Sequence, residues 1–133
     1  MTQRVLITGA NGLLGQALID RLYPPQKYEL LATSRDNESY HPAEPNHDTL
    51  DITDRSRMID VLDEFEPDVL VNCAAMTQVD ACEKNREQCW TVNASAVGQM
   101  SRLCAEREIH LVHVSTDFVF SGSAGPYRED DTP

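Results

Sequence analysis

Residues Val5 to Gly15, V-L-I-T-G-A-N-G-L-L-G, run an apolar, β-branched stretch straight into three glycines spaced three apart. An amphipathic pattern follows at once, so the order specifies a strand, a tight turn and the start of a helix. At a helix N-terminus, unpaired backbone N–H groups and a partial positive charge favour an anion, and a pyrophosphate fits there. Side chains at Gly9 or Gly12 would obstruct that approach or forbid the backbone angles of the turn. Gly15, one helical turn further on, lets the helix pack closely on the sheet. The variant G-x-x-G-x-x-G, set after a strand and before a helix, makes a dinucleotide the expected ligand; the alternative is a glycine-rich loop that holds none.

The rest of the chain repeats the alternation of strand and helix. Val5 to Thr8 reads as the first strand, and Leu13 to Leu22 as a helix with apolar residues at 13, 14, 17, 18 and 22, stopped by Pro24-Pro25. Glu29 to Thr33 is a second strand, followed by a polar surface excursion from Arg35 to His47 and a weak third strand around Asp48 to Ile52. Asp54 can cap a helix from Arg55 to Phe65, with Met58, Ile59, Leu62 and Phe65 on one face. Asp68 to Asn72 is a fourth strand. Helical segments Val79 to Asn85 and Glu87 to Arg107 follow, irregular near 85–87, with a buried stripe of Val92, Ala96, Met100, Leu103 and Cys104. Ile109 to Ser115 is a fifth strand. Alternating strands and helices imply right-handed crossovers, and so a Rossmann-type doubly wound parallel α/β sheet of order 3-2-1-4-5. In such a sheet the ligand lies beyond the carboxyl ends of the strands, where Gly9 to Gly15, Asn72 to Met76 and Ser115 to Phe118 converge.

A chain of 133 residues fits one domain with one core, here an NAD(P)-binding domain over residues 1–133. The net charge of -11 argues against nucleic acid as a partner, because duplex binding draws on clustered Lys and Arg. With no run of about 20 apolar residues and no signal-peptide pattern, membrane association is not expected, and a cytoplasmic, soluble protein is. Cys73, Cys82, Cys89 and Cys104 match neither zinc nor disulfide spacing and are expected reduced and buried. Odd spacing puts His110 and His113 on opposite faces of a strand, so no metal site is expected.

Taken together, T-G-A-N-G-L-L-G, N-C-A-A-M-T-Q-V-D-A-C-E, V-S-T-D-F-V-F-S-G and P-Y-R-E-D-D-T-P resemble the extended short-chain dehydrogenase/reductases. Within them the chain is similar to the dTDP-4-dehydrorhamnose reductase family and its non-catalytic relative, the regulatory beta subunit of methionine adenosyltransferase. The resemblance implies that Gly9, Asn11, Gly12, Leu13 and Gly15 hold the pyrophosphate. It places Asp51 and Ile52 against the adenine, Ala74 and Ala75 at the ribose, and Asn93 as a helix asparagine supporting the site. Thr116 matches the catalytic Ser/Thr that hydrogen-bonds the substrate carbonyl, with Asp117 beside it. A satisfied structural asparagine and a loop aspartate are the competing readings of Asn93 and Asp117.

The end of the second strand bears on the choice of cofactor. A carboxylate there would accept the ribose hydroxyls of NAD, whereas Ser34 and Arg35 stand near that position, and a guanidinium can pair with the 2′-phosphate of NADP. NADP(H) is therefore favoured over NAD(H); if Asp36 occupies the ribose position, the preference reverses. The family's acid is a tyrosine with a lysine four residues on, along the helix after the fifth strand. Only Tyr23 to Lys27 has that spacing here, and it spans Pro24-Pro25. The expectation is therefore an N-terminal portion, truncated before the Tyr-Lys helix and the substrate-binding part, with an exposed apolar patch beside Val112 and Val114 where the missing segment, a partner or a second copy would pack. Two readings stand: NADPH-dependent reduction of a 4-keto nucleotide sugar, with this chain inactive alone, and a non-catalytic NADP-binding regulatory subunit.

Overall fold

Alternation along the first strand decides the layering. In the computed structural model, which describes residues 2–23, 27–39 and 46–133, β1 (Gln3–Thr8) pairs in parallel with β2 (Tyr28–Ser34) and β4 (Val69–Asn72). β3 (Asn46–Thr49) and β5 (His110–His113) complete the order β3-β2-β1-β4-β5, as the sequence predicts. Successive residues of a strand face opposite sides. Leu6, Leu31 and Leu70 therefore enter one core with α2 (Arg55–Phe65) and α5 (Ala96–Glu106). Val5, Ile7, Leu30 and Ala32 enter the other with α1 (Leu13–Leu22). Leu6, Leu62 and Leu70 are almost wholly buried, each contributing about 1.5–3 kcal/mol relative to an exposed side chain.

The caps are those the sequence specifies for α2. The Asp54 carboxylate accepts from Arg57 N at 3.0 Å, and Glu66, in the left-handed region at φ 47, ends the helix before Pro67. For α1 the buried face differs from the apolar one read from sequence. Gly15 and Ile19 are buried and Leu18 and Leu22 half-buried, while Leu13 is 90% exposed. The first turn of α1 follows β1 and so stands at the carboxyl edge of the sheet, where no strand lies beneath Leu13. The third strand also lies earlier than 48–52. Its four residues, Asn-His-Asp-Thr, pair from Leu31↔Asn46 to Ser34↔Thr49 at the sheet edge, where none of them is fully buried and polar side chains serve on both faces, so no apolar alternation marks the strand. Pro24, Pro25 and the 40–45 part of the polar excursion lie outside the described residues.

The long helical segment is broken where irregularity was expected. α3 (Val79–Lys84) and α4 (Arg86–Trp90) meet at Asn85, whose φ −133 and ψ 70 are not helical. A π-helical turn, Thr91–Ser95, then leads into α5 and was not foreseen. Ala96, Met100, Leu103 and Cys104 form the buried stripe, with Val92 partly buried. Val112 of β5 and Val114 just after it are 39% and 50% exposed, the exposure expected there, and Phe118 and Val119 further along are exposed as well. Among the described residues no helix is long and apolar enough to cross a membrane.

Candidate functional site

The carboxyl ends of β1, β2, β3 and β4 surround a cleft of about 890 Å³. Gly9, Asn11, Gly12, Ser34, Arg35, Asp51, Ile52, Ala74 and Ala75 all line it, with Asp36 next to Arg35. Four of the anticipated residues, Leu13, Gly15, Asn93 and Thr116, are not part of its lining.

Each glycine of the turn meets a different constraint. Gly9 has φ +66, and a Cβ there would lie 2.6 Å from Ala74 N and 2.7 Å from the Cys73 carbonyl carbon. It thus allows the first turn to rest on the chain leaving β4. A Cβ on Gly12 would meet only Gly9 O, at 3.3 Å, so this position is open toward the cleft. At Gly15 a Cβ would strike Gly9 O and come within 2.7 Å of Ala10 Cα. The close packing at Gly15 is therefore against the turn itself rather than the sheet. The turn closes through Gly12 N donating to Gly9 O at 3.0 Å, and Gly12 provides no side-chain cap for α1. Gly12 therefore offers the first-turn amides of α1 no side-chain partner, an arrangement that can bind an anion.

A shared hydroxyl fixes the turn to the end of β2. Ser34 Oγ donates to Asp36 O at 3.0 Å and accepts from Asn11 Nδ2 at 3.0 Å. His47 Nε2 lies 2.9 Å from the same oxygen. Whichever of the two holds the proton between them, His47 joins the Ser34 hydroxyl to β3. Ser34 and Asn11 thus shape the wall with side chains already engaged. Arg35 is exposed and has no side-chain hydrogen bond or ion pair among the described residues. On the neighbouring rim, Asp51 accepts from Thr53 N at 2.9 Å and Thr53 Oγ1 at 2.7 Å. Arg57 fastens the end of β3, just before that turn, by pairing with Asp48 and donating to Thr49 O at 3.3 Å.

At the end of β4, where the sequence places the Asn72 to Met76 segment near the ligand, lies a buried polar network whose pairings the sequence does not specify. Thr8 Oγ1 donates to Asn72 Oδ1 at 2.6 Å, the same oxygen accepts from Ala74 N at 3.3 Å, and Asn72 Nδ2 lies 3.1 Å from His113 Nδ1. The signal was available: an asparagine closing the apolar run V-L-V-N at a buried strand end needs partners. Burial alone pushes the Cys73 thiol, which also lines the cleft, up to about 11. Asn93, in the π turn, is outside the lining but bonded to a residue within it. Its Oδ1 accepts from Met76 N and its Nδ2 donates to Met76 O, both at 2.8 Å, and Met76 lines the cleft. Thr116 lies three residues beyond β5, exposed, its Oγ1 accepting from Phe118 N at 3.2 Å.

The cysteines require a correction. Cys82 and Cys89 are joined in a disulfide, with Cα atoms 5.1 Å apart, and both are half-buried; only Cys73 and Cys104 are free. Seven residues along an unbroken helix rise about 10 Å, too far for a disulfide. The break at Asn85 turns α3 back toward α4 and brings the sulfurs together. Asn85, Gln88 and Thr91, between and beyond the two cysteines, line the cleft, and no residue pattern had pointed to them.

Comparison with known proteins adds to this geometry. Residues 3–133 match the family described as the RmlD substrate binding domain. A probable low-salt glycan biosynthesis reductase, Agl14 of Haloferax volcanii, is 42% identical over 132 residues, covering 96% of this chain and 42% of that protein. The methionine adenosyltransferase 2 subunit beta of Xenopus laevis is 32% identical over 132 residues, covering 99% and 38%. The crystal structure of dTDP-4-dehydrorhamnose reductase from Bacillus anthracis in complex with NADP superposes with a TM-score of 0.79 at 34% identity, covering 93% of this chain and 40% of that one. The chain spans about two fifths of the length of the curated relatives it matches.

Proposed function

Since this chain belongs to the RmlD substrate binding domain family, we propose that residues 1–133 form the NADP(H)-binding domain of a reductase acting on a 4-keto nucleotide sugar. The observation that carries this reading is the uncapped start of α1 behind Gly12, open to a cleft that also takes in Arg35. The first-turn amides of α1 hold the pyrophosphate, and Arg35 pairs with the 2′-phosphate. Asp51 and Ile52 flank the adenine, and Ala74 and Ala75 allow the ribose to approach the backbone. Asn93 keeps that wall in place through Met76. The bound nicotinamide supplies the hydride.

Thr116 is the one catalytic group assigned within these residues. Its oxygen accepts from Phe118 N, so the hydroxyl proton is available to a substrate carbonyl. The acid that protonates the resulting alkoxide is not among residues 1–133, where only Tyr23 to Lys27 has the four-residue spacing. The exposed strip of Val112, Val114, Phe118 and Val119 is the surface against which the substrate-binding part of the reductase packs.

The second reading, a cofactor-binding regulatory subunit, is favoured by the 32% identity to the methionine adenosyltransferase 2 subunit beta of Xenopus laevis. Fluorescence titration with NADPH and NADH tests the cofactor, and tighter NADH binding refutes the role of Arg35. Spectrophotometric NADPH oxidation with a dTDP-4-keto sugar tests the rest. Turnover by residues 1–133 alone refutes the assignment of the acid to another part of the protein. Absence of turnover by the complete polypeptide favours the regulatory subunit.

A further inference from the structure

Two elements of the cleft wall are joined by a bond that the proposed reaction does not use. We infer that Cys82–Cys89 is a thiol–disulfide exchange site, taking small dithiols and disulfides, whose state sets how firmly the α3–α4 wall and the Met76 peptide are held. The inference rests on the cleft being the dinucleotide site. Three observations lead to it.

The first is position. The bond bridges the break at Asn85, and Ala81, just before Cys82, with Asn85 and Gln88, between the two cysteines, all line the cleft. Opening the bond frees α3 and α4 to move about that break. The second is access. Both cysteines line a separate depression of about 310 Å³ on the outer side, with Arg86, Trp90, Asn93 and Ala94, and Trp90 is exposed at its edge. A small thiolate can reach the sulfurs there without entering the cleft. The third is a shared partner. Asn93 Nδ2, which donates to Met76 O, also lies 3.4 Å from Cys89 Sγ.

The chemistry follows from that shared amide. A thiolate of the dithiol attacks Cys82 Sγ and forms a mixed disulfide, the Cys82–Cys89 bond breaks, and its electron pair passes to Cys89 Sγ. An N–H donor stabilises that leaving thiolate. The reductant's second thiol, deprotonated, then attacks its own sulfur in the mixed disulfide, closing its ring and releasing Cys82, which takes a proton from water. The dithiol is oxidised by two electrons and the protein disulfide reduced by two. A small-molecule disulfide reverses the sequence, leaving as two thiols. With the bond open, α3 and α4 are no longer clamped across the break at Asn85, so the wall that Asn93 ties to Met76 loosens. Cys73 and Cys104 take no part at neutral pH, since burial raises both thiols and Cys104 is fully enclosed.

The test uses the protein oxidised with glutathione disulfide and reduced with dithiothreitol, with alkylation and peptide mass mapping to locate the bond. Hydrogen exchange at the Met76 amide is expected to quicken several-fold on reduction, and NADPH affinity to fall roughly fivefold or more. The Cys82→Ser/Cys89→Ser double variant is expected to show no difference between the two conditions. Failure of the 82–89 bond to form, or an unchanged Met76 exchange rate once it is reduced, overturns the inference. Should neither form bind NADPH, the proposed function fails, and Met76 exchange still decides the thiol–disulfide site independently.

Discussion

Asn93 grips both backbone polar groups of one residue: its amide oxygen accepts from Met76 N and its amide nitrogen donates to Met76 O, each at 2.8 Å. The pair mimics a strand neighbour for a loop that has none, which is why the 73–78 segment keeps its shape without regular structure. Asn93→Leu removes both bonds while keeping similar volume. Dinucleotide binding is expected to weaken roughly tenfold, as two net hydrogen bonds of about 1 kcal/mol each are partly transmitted to the wall. Isothermal titration calorimetry measures it, and an unchanged affinity would separate Asn93 from the site.

Gly9 and Gly12 are expected to fail in opposite ways. Gly9→Ala forces a residue into φ +66 against Ala74 N, so the fold should lose about 1–3 kcal/mol, read as a lower midpoint in calorimetric unfolding. Gly12→Val meets only Gly9 O, at a cost of about 1 kcal/mol at the helix cap. There the fold survives and binding of both NADPH and NADH is lost, because a branched side chain stands where the pyrophosphate approaches.

Arg35→Ala should be selective. A charge-assisted contact is worth about 1.5–3 kcal/mol, so NADPH affinity is expected to fall roughly tenfold to a hundredfold while NADH affinity holds. Equal losses for the two cofactors would show that Arg35 contacts something they share.

The Cys73 thiol gives a pH signature. Its folded-state value, about 11, lies above the ordinary 9.0 because burial disfavours the thiolate. Between those values the unfolded chain binds fewer protons than the folded one, so stability falls as pH rises from about 9 toward about 11. Below 9 the contribution is constant. Urea unfolding across that range should show a shallower decline for Cys73→Ala than for the unsubstituted protein, and parallel declines would contradict the assignment.

How far the fold could be read from residues depended on how one-sided each element is. β1, β2, β4 and α2 combine apolar periodicity with recognisable ends, and their order followed from the alternation alone. β3 is polar and lies at an edge, so its bounds came only from pairing with Leu31 to Ser34. The apolar face of α1 was misjudged because Leu13 and Leu14 follow the helical spacing yet project past the sheet. At the site, the segments leaving the strands were legible through the glycines and small residues that mark them. The partners of Asn72, the grip of Asn93 on Met76 and the disulfide were not, since each depends on chain segments that meet only after the break at Asn85 and the parallel pairing are in place.

The π turn at Thr91–Ser95 puts the two ends of the long helical segment out of phase. A residue added or removed in a regular helix rotates everything beyond it by roughly 100°. Here the wider turn absorbs that rotation between Asn93, which faces the loop, and Met100 and Leu103, which face the core. The wall and the core are thereby decoupled. Substitutions at Asn85, Gln88 or Thr91 can reshape the cleft for a different ligand without disturbing how α5 seats on the sheet, and a single-residue deletion inside the turn would bind the two functions together again.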